Sequence, residues 1–335
     1  MESGQELIER LAFTRKIIRE TPVVPLADDR IDLYAKLEFL NGVGSVKDRP
    51  ALWILERAIE RGEVGPESTI IESSSGNFAC ALATFCRMLG LKFIPVVDPD
   101  VSPAYEGYLC AHCERVVKVR DCDDAGGFLK TRLRMVETLL TEIPDSYWPD
   151  QYKNPDGMAA HYHLTAGEIC RALPQVDYVF LGVSTAGTVA GVSRRLKERD
   201  PSVRIVGVDT EGSVIFGQHS RKRHIPGIGS SISPPLLKAA LIDEIVIVPE
   251  RDTVLACHEL LERHGLFVGG STGTVYSAIQ HHFPWPRGQV RPKVLFLCCD
   301  RGTAYLHNVF DRKWAALQTS KIQPDTRITT APSMR

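Results

Sequence analysis

No stretch of the chain holds the ~18 consecutive apolar residues that a membrane-spanning helix needs. Nor is there an excess of one charge: 40 Lys and Arg stand against 41 Asp and Glu, a net charge of −1. A nucleic acid or an anionic membrane therefore has no electrostatic reason to bind, and neither is expected as a partner. Nucleotide fingerprints are missing too: no G-x-G-x-x-G follows a strand-like run, and no G-x-x-x-x-G-K-[ST] occurs. The first residues, MESGQELIERLAF, are acidic and helical in pattern, without the basic start and apolar centre of a signal peptide. A cytoplasmic protein is expected. Among nine cysteines there is one C-x-x-C, Cys110 and Cys113 around His112, but no second pair at zinc spacing. Cys80, Cys86, Cys170, Cys298 and Cys299 lie in apolar runs and read as buried thiols, so no metal site is expected.

What is present is a regular alternation. IDLYAKLEF, STIIES, KFIPVVD, ERVVKV, DYVFLGV, VRIVGVD, DEIVIVP and KVLFLCC read as buried strands. Helical patterns such as ALWILERAIERG, NFACALATFCRMLG, FLKTRLRMVETLLTEI, GTVAGVSRRLKER and TVLACHELLERHG separate many of them. Alternation of this kind predicts an α/β protein with largely parallel sheets, and 335 residues suffice for one large or two moderate domains. Residues 319–335 are polar with little periodicity and read as a loose tail.

One element recurs. TIIES-SSGN-FACALATF is strand, small polar loop, helix; FLGV-STAGT-VAGVSRRL repeats it; FVGG-STGT-VYSAIQ shows the loop and helix again. Exposed backbone N–H groups and the helix dipole make each such place an anion site, although Ser, Thr and Gly are also ordinary helix caps. Three together suggest a ligand, or ligands, with more than one anionic group. A further loop, G44-S-V-K-D-R-P50, puts Lys47 among small residues at a helix start. A solvated lysine is the plain reading; the alternative is an amine that a small molecule approaches and bonds. Pyridoxal phosphate meets both demands, with an aldehyde for a Schiff base and a phosphate for a helix N-terminus.

Four segments in order carry a resemblance. G44-S-V-K-D-R49, E72-S-S-S-G-N-F78, S184-T-A-G-T188 and G269-G-S-T-G273 resemble the lysine, substrate-carboxylate, phosphate and pyridine-nitrogen segments of the fold-type-II pyridoxal-phosphate enzymes, the cysteine synthase and cystathionine β-synthase group. One departure is N41-G-V-G-S45, where the family usually reads N-P-G-G-S. Within the group, DAGGFLKTR (124–132), QYKNP (151–155), HYH (161–163), STAGT and GSVIFG (212–217) resemble the N-(2-amino-2-carboxyethyl)-L-glutamate synthases of the 2,3-diaminopropionate route to staphyloferrin B-type siderophores.

The resemblance implies a tryptophan-synthase-β-like fold with two domains, each a largely parallel sheet flanked by helices. A large cofactor domain would comprise 1–45 and 146–318, and a small mobile domain 46–145. It implies pyridoxal 5'-phosphate on Lys47, which would also move the proton at the substrate's α-carbon. Asn77 would bond the phenolic oxygen, and Ser184, Thr185, Ala186, Gly187 and Thr188 the phosphate. Ser271 would meet the pyridine nitrogen, with Asp300 behind it. Ser74, Ser75, Gly76 and Phe78 would hold the substrate carboxylate, with Gln151 closing that site. Arg132 and Tyr152, together with Ser184, are positions that help separate phosphoserine users from acetylserine users. O-phospho-L-serine and L-glutamate are the implied substrates and a homodimer the implied assembly. A cysteine synthase or cystathionine-forming enzyme, a serine or threonine dehydratase, and a catalytically silent cofactor-binding protein remain open at this point.

Overall fold

A computed structural model describes residues 2–122, 127–285, 291–320 and 328–332. Its strands are β1 Val23–Leu26, β2 Asp32–Lys36, β3 Thr69–Ser73, β4 Lys92–Val97, β5 Val117–Lys118, β6 Ser146–Tyr147, β7 Tyr178–Gly182, β8 Arg204–Thr210, β9 Glu244–Val248, β10 Lys293–Leu297 and β11 Thr329–Pro332. Its helices are α1 Glu2–Thr14, α2 Asp48–Glu60, α3 Asn77–Leu89, α4 Pro103–His112, α5 Leu129–Glu142, α6 Pro155–Ala160, α7 Ala166–Ala172, α8 Gly187–Arg199, α9 Glu250–His264, α10 Gly270–His282 and α11 Arg312–Ser320.

Contacts divide the chain into two units, Met1–Glu20 with Asn41–Ala160 and Thr21–Leu40 with His161–Arg335. These boundaries differ from the expected cuts at 45/46 and 145/146. Residues 1–20 join the lysine-bearing unit because Leu7 and Leu11 of α1 lie in one core with Leu52, Leu55 and Phe85. Residues 155–160 join it because α6 packs on α2, where a Cβ on Gly157 would stand 3.6 Å from Ile54 Cδ1.

The first unit has a four-stranded sheet in the order β5-β4-β3-β6, every neighbouring pair parallel. All five residues of β3 are buried, as a central parallel strand requires. Alternate side chains serve opposite faces: Ile70 packs with Leu82 and Phe85, Ile71 with Val136 and Leu139. The second unit has seven strands in the order β1-β2-β10-β7-β8-β9-β11. The five inner strands are mutually parallel, and β1 and β11 close the edges antiparallel.

Every strand-like run named from the sequence forms a strand. Those not anticipated are short or peripheral. Pro25 suits β1 only because β1 is an edge strand. The expectation of a loose tail fails for Thr329–Pro332, which pair with β9 while Ile328 packs on the core. Residues 321–327 and 333–335 of that tail lie outside the described residues, as do Asp124, Ala125 and Gly126 of the DAGGFLKTR motif. No helix among the described residues is long and apolar enough to cross a membrane. The loops of interest leave the carboxyl ends of β3, β4 and β7, where ligands of parallel sheets bind.

Candidate active site

Lys47 is half-buried and caps α2. What shapes its loop is Asp48, which the sequence reading passed over. Asp48 Oδ2 accepts the N–H groups of Val43 (2.7 Å) and Gly44 (3.0 Å), and its Oδ1 accepts the Ser45 hydroxyl (3.2 Å). Gly44 sits at φ +119°, a conformation that favours glycine. A Cβ on Gly42 would stand 2.5 Å from Ile17 Cγ2, and Val43 both packs on the core and supplies one N–H to Asp48. The Gly42–Val43 departure from the family pattern is thus accommodated. Burial pushes the Asp48 carboxyl up to about 6 against the pull of these donors. Lys36 is buried more deeply than Lys47, but its ammonium donates to Glu168 Oε2 (2.6 Å) and Thr21 O (2.7 Å). Its amine is taken up by a carboxylate and a carbonyl in the core and is not presented to a ligand.

The carboxylate loop follows β3. Ser74 Oγ accepts the N–H of Ala79 (3.2 Å) and so caps α3. Ser75 Oγ donates to Asp98 Oδ2 (2.9 Å) and accepts from Asp98 N–H (3.0 Å) and Arg132 Nη1 (3.0 Å). Its hydroxyl hydrogen is therefore engaged, so an anion at this loop would meet backbone N–H groups rather than the Ser75 hydroxyl. Tyr105 donates to Asn77 Oδ1 (2.6 Å), which fixes the carboxamide with its nitrogen as donor. Gln151 Nε2 donates to Ser73 O (3.2 Å), tying its loop, with half-buried Tyr152, to the end of β3. Behind them lies Glu72, wholly buried, with Oε1 accepting Ser73 N–H (2.8 Å) and Trp148 Nε1–H (3.4 Å). Burial and the charge of Asp150 push its carboxyl up to about 8. Glu72, Asp98, Trp148 and Tyr105 were missed from sequence. Asp98 alone carried a signal there, an acid at the end of a buried strand ahead of proline.

In the second unit the STAGT loop joins β7 to α8. Ala186, at φ +65°, places a left-handed residue directly before α8, the kind of turn in which successive N–H groups can form an anion-binding nest. Ser184 Oγ donates to Gly229 O (3.0 Å). Thr188 Oγ1 lies 3.1 Å from His161 Nε2, and His161 Nδ1 lies 3.0 Å from Thr165 Oγ1, within a π-helical turn. Either tautomer of His161 satisfies both contacts, and only with the proton on Nε2 does the Thr188 hydroxyl keep its own hydrogen to donate. Ser271 is buried in the first turn of α10. Asp300 accepts from Tyr305 (3.0 Å), and its carbonyl receives Gly269 N–H (3.1 Å), so it supports the turn before Ser271. Behind Gly229, burial pushes Asp209 up to about 6. The structure thus brings Lys47, Ser74, Ser75, Gly76, Asn77, Phe78, Arg132, Gln151 and Tyr152 into one unit, and Ser184 to Thr188 with Ser271 into the other. Cys110 is exposed and Cys113 half-buried, its thiol pushed up to about 11 by burial and by Cys110; it carries no thiolate at neutral pH.

The sequence profile described as "pyridoxal-phosphate dependent enzyme" matches residues 14–300. The chain belongs to that family. An N-(2-amino-2-carboxyethyl)-L-glutamate synthase of Cupriavidus metallidurans is 45% identical over 307 residues, 89% of each chain. One of Ralstonia nicotianae is 44% identical over 301 residues, 88% of each. Among solved structures, the O-acetylserine-dependent cystathionine β-synthase of Helicobacter pylori superposes with a TM-score of 0.81 at 32% identity, covering 88% of this chain and 97% of that one. The architecture is that of a fold-type-II pyridoxal-phosphate enzyme. Each unit, taken by itself, offers donors of a kind this cofactor takes: a lysine at a helix start in the first, and a loop of neutral N–H and hydroxyl groups at a helix N-terminus in the second.

Proposed function

We propose that the chain replaces the phosphate of O-phospho-L-serine with the amine of L-glutamate, giving N-(2-amino-2-carboxyethyl)-L-glutamate and inorganic phosphate. The observation that carries the proposal is near-full-length identity of 44% and 45% to two relatives of that name. Arg132 beside the carboxylate loop supports the choice of donor, because a guanidinium recognises a phosphate by paired hydrogen bonds. The same reading makes the enzyme a cytoplasmic homodimer that provides a diamine precursor for siderophore assembly.

Bound pyridoxal phosphate supplies an aldehyde for amines and an electron-withdrawing ring that acidifies the substrate's α-carbon. Lys47 holds the cofactor between turnovers, then takes the α-proton and later returns it. Asn77 is the donor for the ring's phenolic oxygen. Ser271 meets the pyridine nitrogen with a neutral hydroxyl, which moderates the ring's electron demand and favours loss of a β-substituent. The backbone from Ser74 to Phe78 holds the substrate carboxylate, and Gln151 fastens that loop from outside. Ser184 to Thr188 bind the cofactor phosphate through N–H groups, and Thr188 adds its hydroxyl. At the β-carbon a C–O bond breaks and a C–N bond forms, while the incoming amine gives up one proton.

Purified protein incubated with O-phospho-L-serine and a panel of amines and thiols, read by mass spectrometry, tests the proposal. The glutamate adduct with equimolar phosphate is the expected product. A thiol adduct formed faster, or pyruvate alone, would overturn it in favour of a cysteine-synthase-like enzyme or a dehydratase.

A further inference from the structure

Asp98 lies one residue past the end of β4, in front of Pro99. We infer that Asp98 is a positioning residue that selects a phosphorylated donor, holding Arg132 by one nitrogen so that its other edge serves an oxyanion. The inference rests on the proposed reaction and deepens it.

Three elements of the first unit meet at this point. Ser75 comes from the loop after β3, Asp98 from the end of β4 and Arg132 from the first turn of α5. Asp98 Oδ2 accepts the Ser75 hydroxyl at 2.9 Å and stands 3.4 Å from Arg132 Nη1. Asp98 N–H and Arg132 Nη1 both donate to Ser75 Oγ, each at 3.0 Å. The side chains of Arg132 and Asp98 are 13% and 18% exposed, so their attraction is screened less than that of a surface pair. Arg132 is in this way fastened to the carboxylate loop itself.

A plain structural clip between α5 and β4 would place both guanidinium nitrogens of one edge on both carboxylate oxygens, the fork-on-fork geometry that arginine and carboxylate prefer. Here one nitrogen does all the work. Arg132 Nη1 takes both contacts, while Arg132 Nε is buried with no hydrogen-bond partner among the described residues. A buried, unpartnered donor is uncommon and calls for an explanation. The edge formed by Nε and Nη2 is a two-donor fork that matches phosphate. Because Asp98 stands near, the pair carries little net charge. An acetyl ester offers this fork one neutral carbonyl acceptor, whereas a phosphate takes two aligned, charge-assisted hydrogen bonds.

The test compares donors rather than rates alone. With Asp98→Asn holoenzyme, kcat/KM for O-phospho-L-serine should fall about tenfold more than for O-acetyl-L-serine, mainly through KM, the usual scale for a misplaced charge-assisted contact. Calorimetric titration of the same holoenzyme with inorganic phosphate should show affinity weakened by a similar factor. In an Arg132→Gln background, Asp98→Asn should change the donor ratio no further, since it acts through the arginine. Arg132→Lys keeps the charge without the fork and should show the same donor-selective loss, which serves if Asp98→Asn does not fold. Equal losses on both donors with unchanged phosphate affinity, or an Asp98→Asn effect undiminished without Arg132, overturns the inference. Failure of the wild type to form the glutamate adduct refutes the proposed reaction instead, and the phosphate titration still decides the role of Asp98.

Discussion

Around Lys47 and the carboxylate loop stand ionisable side chains: Asp48 organises one turn, Asp98 and Arg132 brace another, and Glu72 lies buried beneath. The STAGT loop of the second unit contains none. Its ionisable neighbours, His161 and Asp209, stand behind it, and its face is backbone turned by Ala186. The contrast follows from the tasks. In the proposed roles, a lysine that exchanges protons needs tunable charge around it, whereas a permanent phosphate is held adequately by fixed N–H dipoles. It follows that the first unit should be sensitive to side-chain chemistry and the second to backbone shape.

The largest effect belongs to the first unit. On the proposed roles, Lys47→Ala removes both the amine that would hold the cofactor and the base, and product formation should fall by at least ~10³-fold, with the absorbance of lysine-bound cofactor lost. Turnover near the wild-type rate would show that another residue does this work. Next comes a backbone position of the second unit. Gly187→Asp puts a carboxylate in the loop proposed to receive the phosphate dianion, and like charges a few ångströms apart repel strongly in a shielded site. Cofactor content after dialysis should drop well below that of wild type. Full retention would mean that the loop is not the phosphate site.

The contrast also explains what the sequence disclosed. Lys47, the STAGT loop and Ser271 could be proposed from the sequence because small residues between a strand and a helix make a local pattern that survives without coordinates. The parallel sheets were legible because strands buried on both faces, such as β3, read as unbroken apolar runs. Asp98 and Glu72 were not, because their meaning lies in partners distant in sequence: Arg132 is 34 residues from Asp98, and Trp148 is 76 from Glu72. The contact boundary at 20/21 was hidden for the same reason, since nothing local says that Leu7 and Leu11 pack with Phe85. Edge strand β11 was lost in a polar tail whose pairing with β9 depends on register alone.

A smaller effect sharpens the charge side of the comparison. The Glu72 carboxyl is raised from 4.5 to about 8 in the fold. Below pH 4.5 the folded and unfolded chains both hold this proton. Between 4.5 and 8 the unfolded chain releases it first, so stability falls as pH rises through that window and levels off above it. The loss attributable to this residue is on the order of 5 kcal/mol. Glu72→Gln keeps an acceptor for Ser73 and Trp148 and cannot ionise, so urea unfolding at pH 5, 7 and 9 should show the variant losing less stability than wild type. Parallel profiles would mean that Glu72 does not titrate there.

The smallest effect is the sharpest check on the backbone side. Ser184 belongs to the proposed phosphate loop, and a serine there invites the reading that its hydroxyl binds the anion. Its hydrogen is instead donated to Gly229 O at 3.0 Å. That bond tethers the loop to the turn at Gly229, where φ is +72° and where Gly229 N–H in turn donates to Val183 O at 2.9 Å. A hydroxyl has one hydrogen, so while this tether holds, Ser184 offers a phosphate only its N–H. Ser184→Ala keeps that N–H and removes a single neutral hydrogen bond, and it leaves the Gly229 carbonyl half-satisfied. The expected cost is about 1 kcal/mol of stability, read by urea unfolding, with cofactor content after dialysis essentially retained. A variant that unfolds like wild type but loses its cofactor would show that the hydroxyl turns to the phosphate when it binds, and the second unit would then depend on side chains after all.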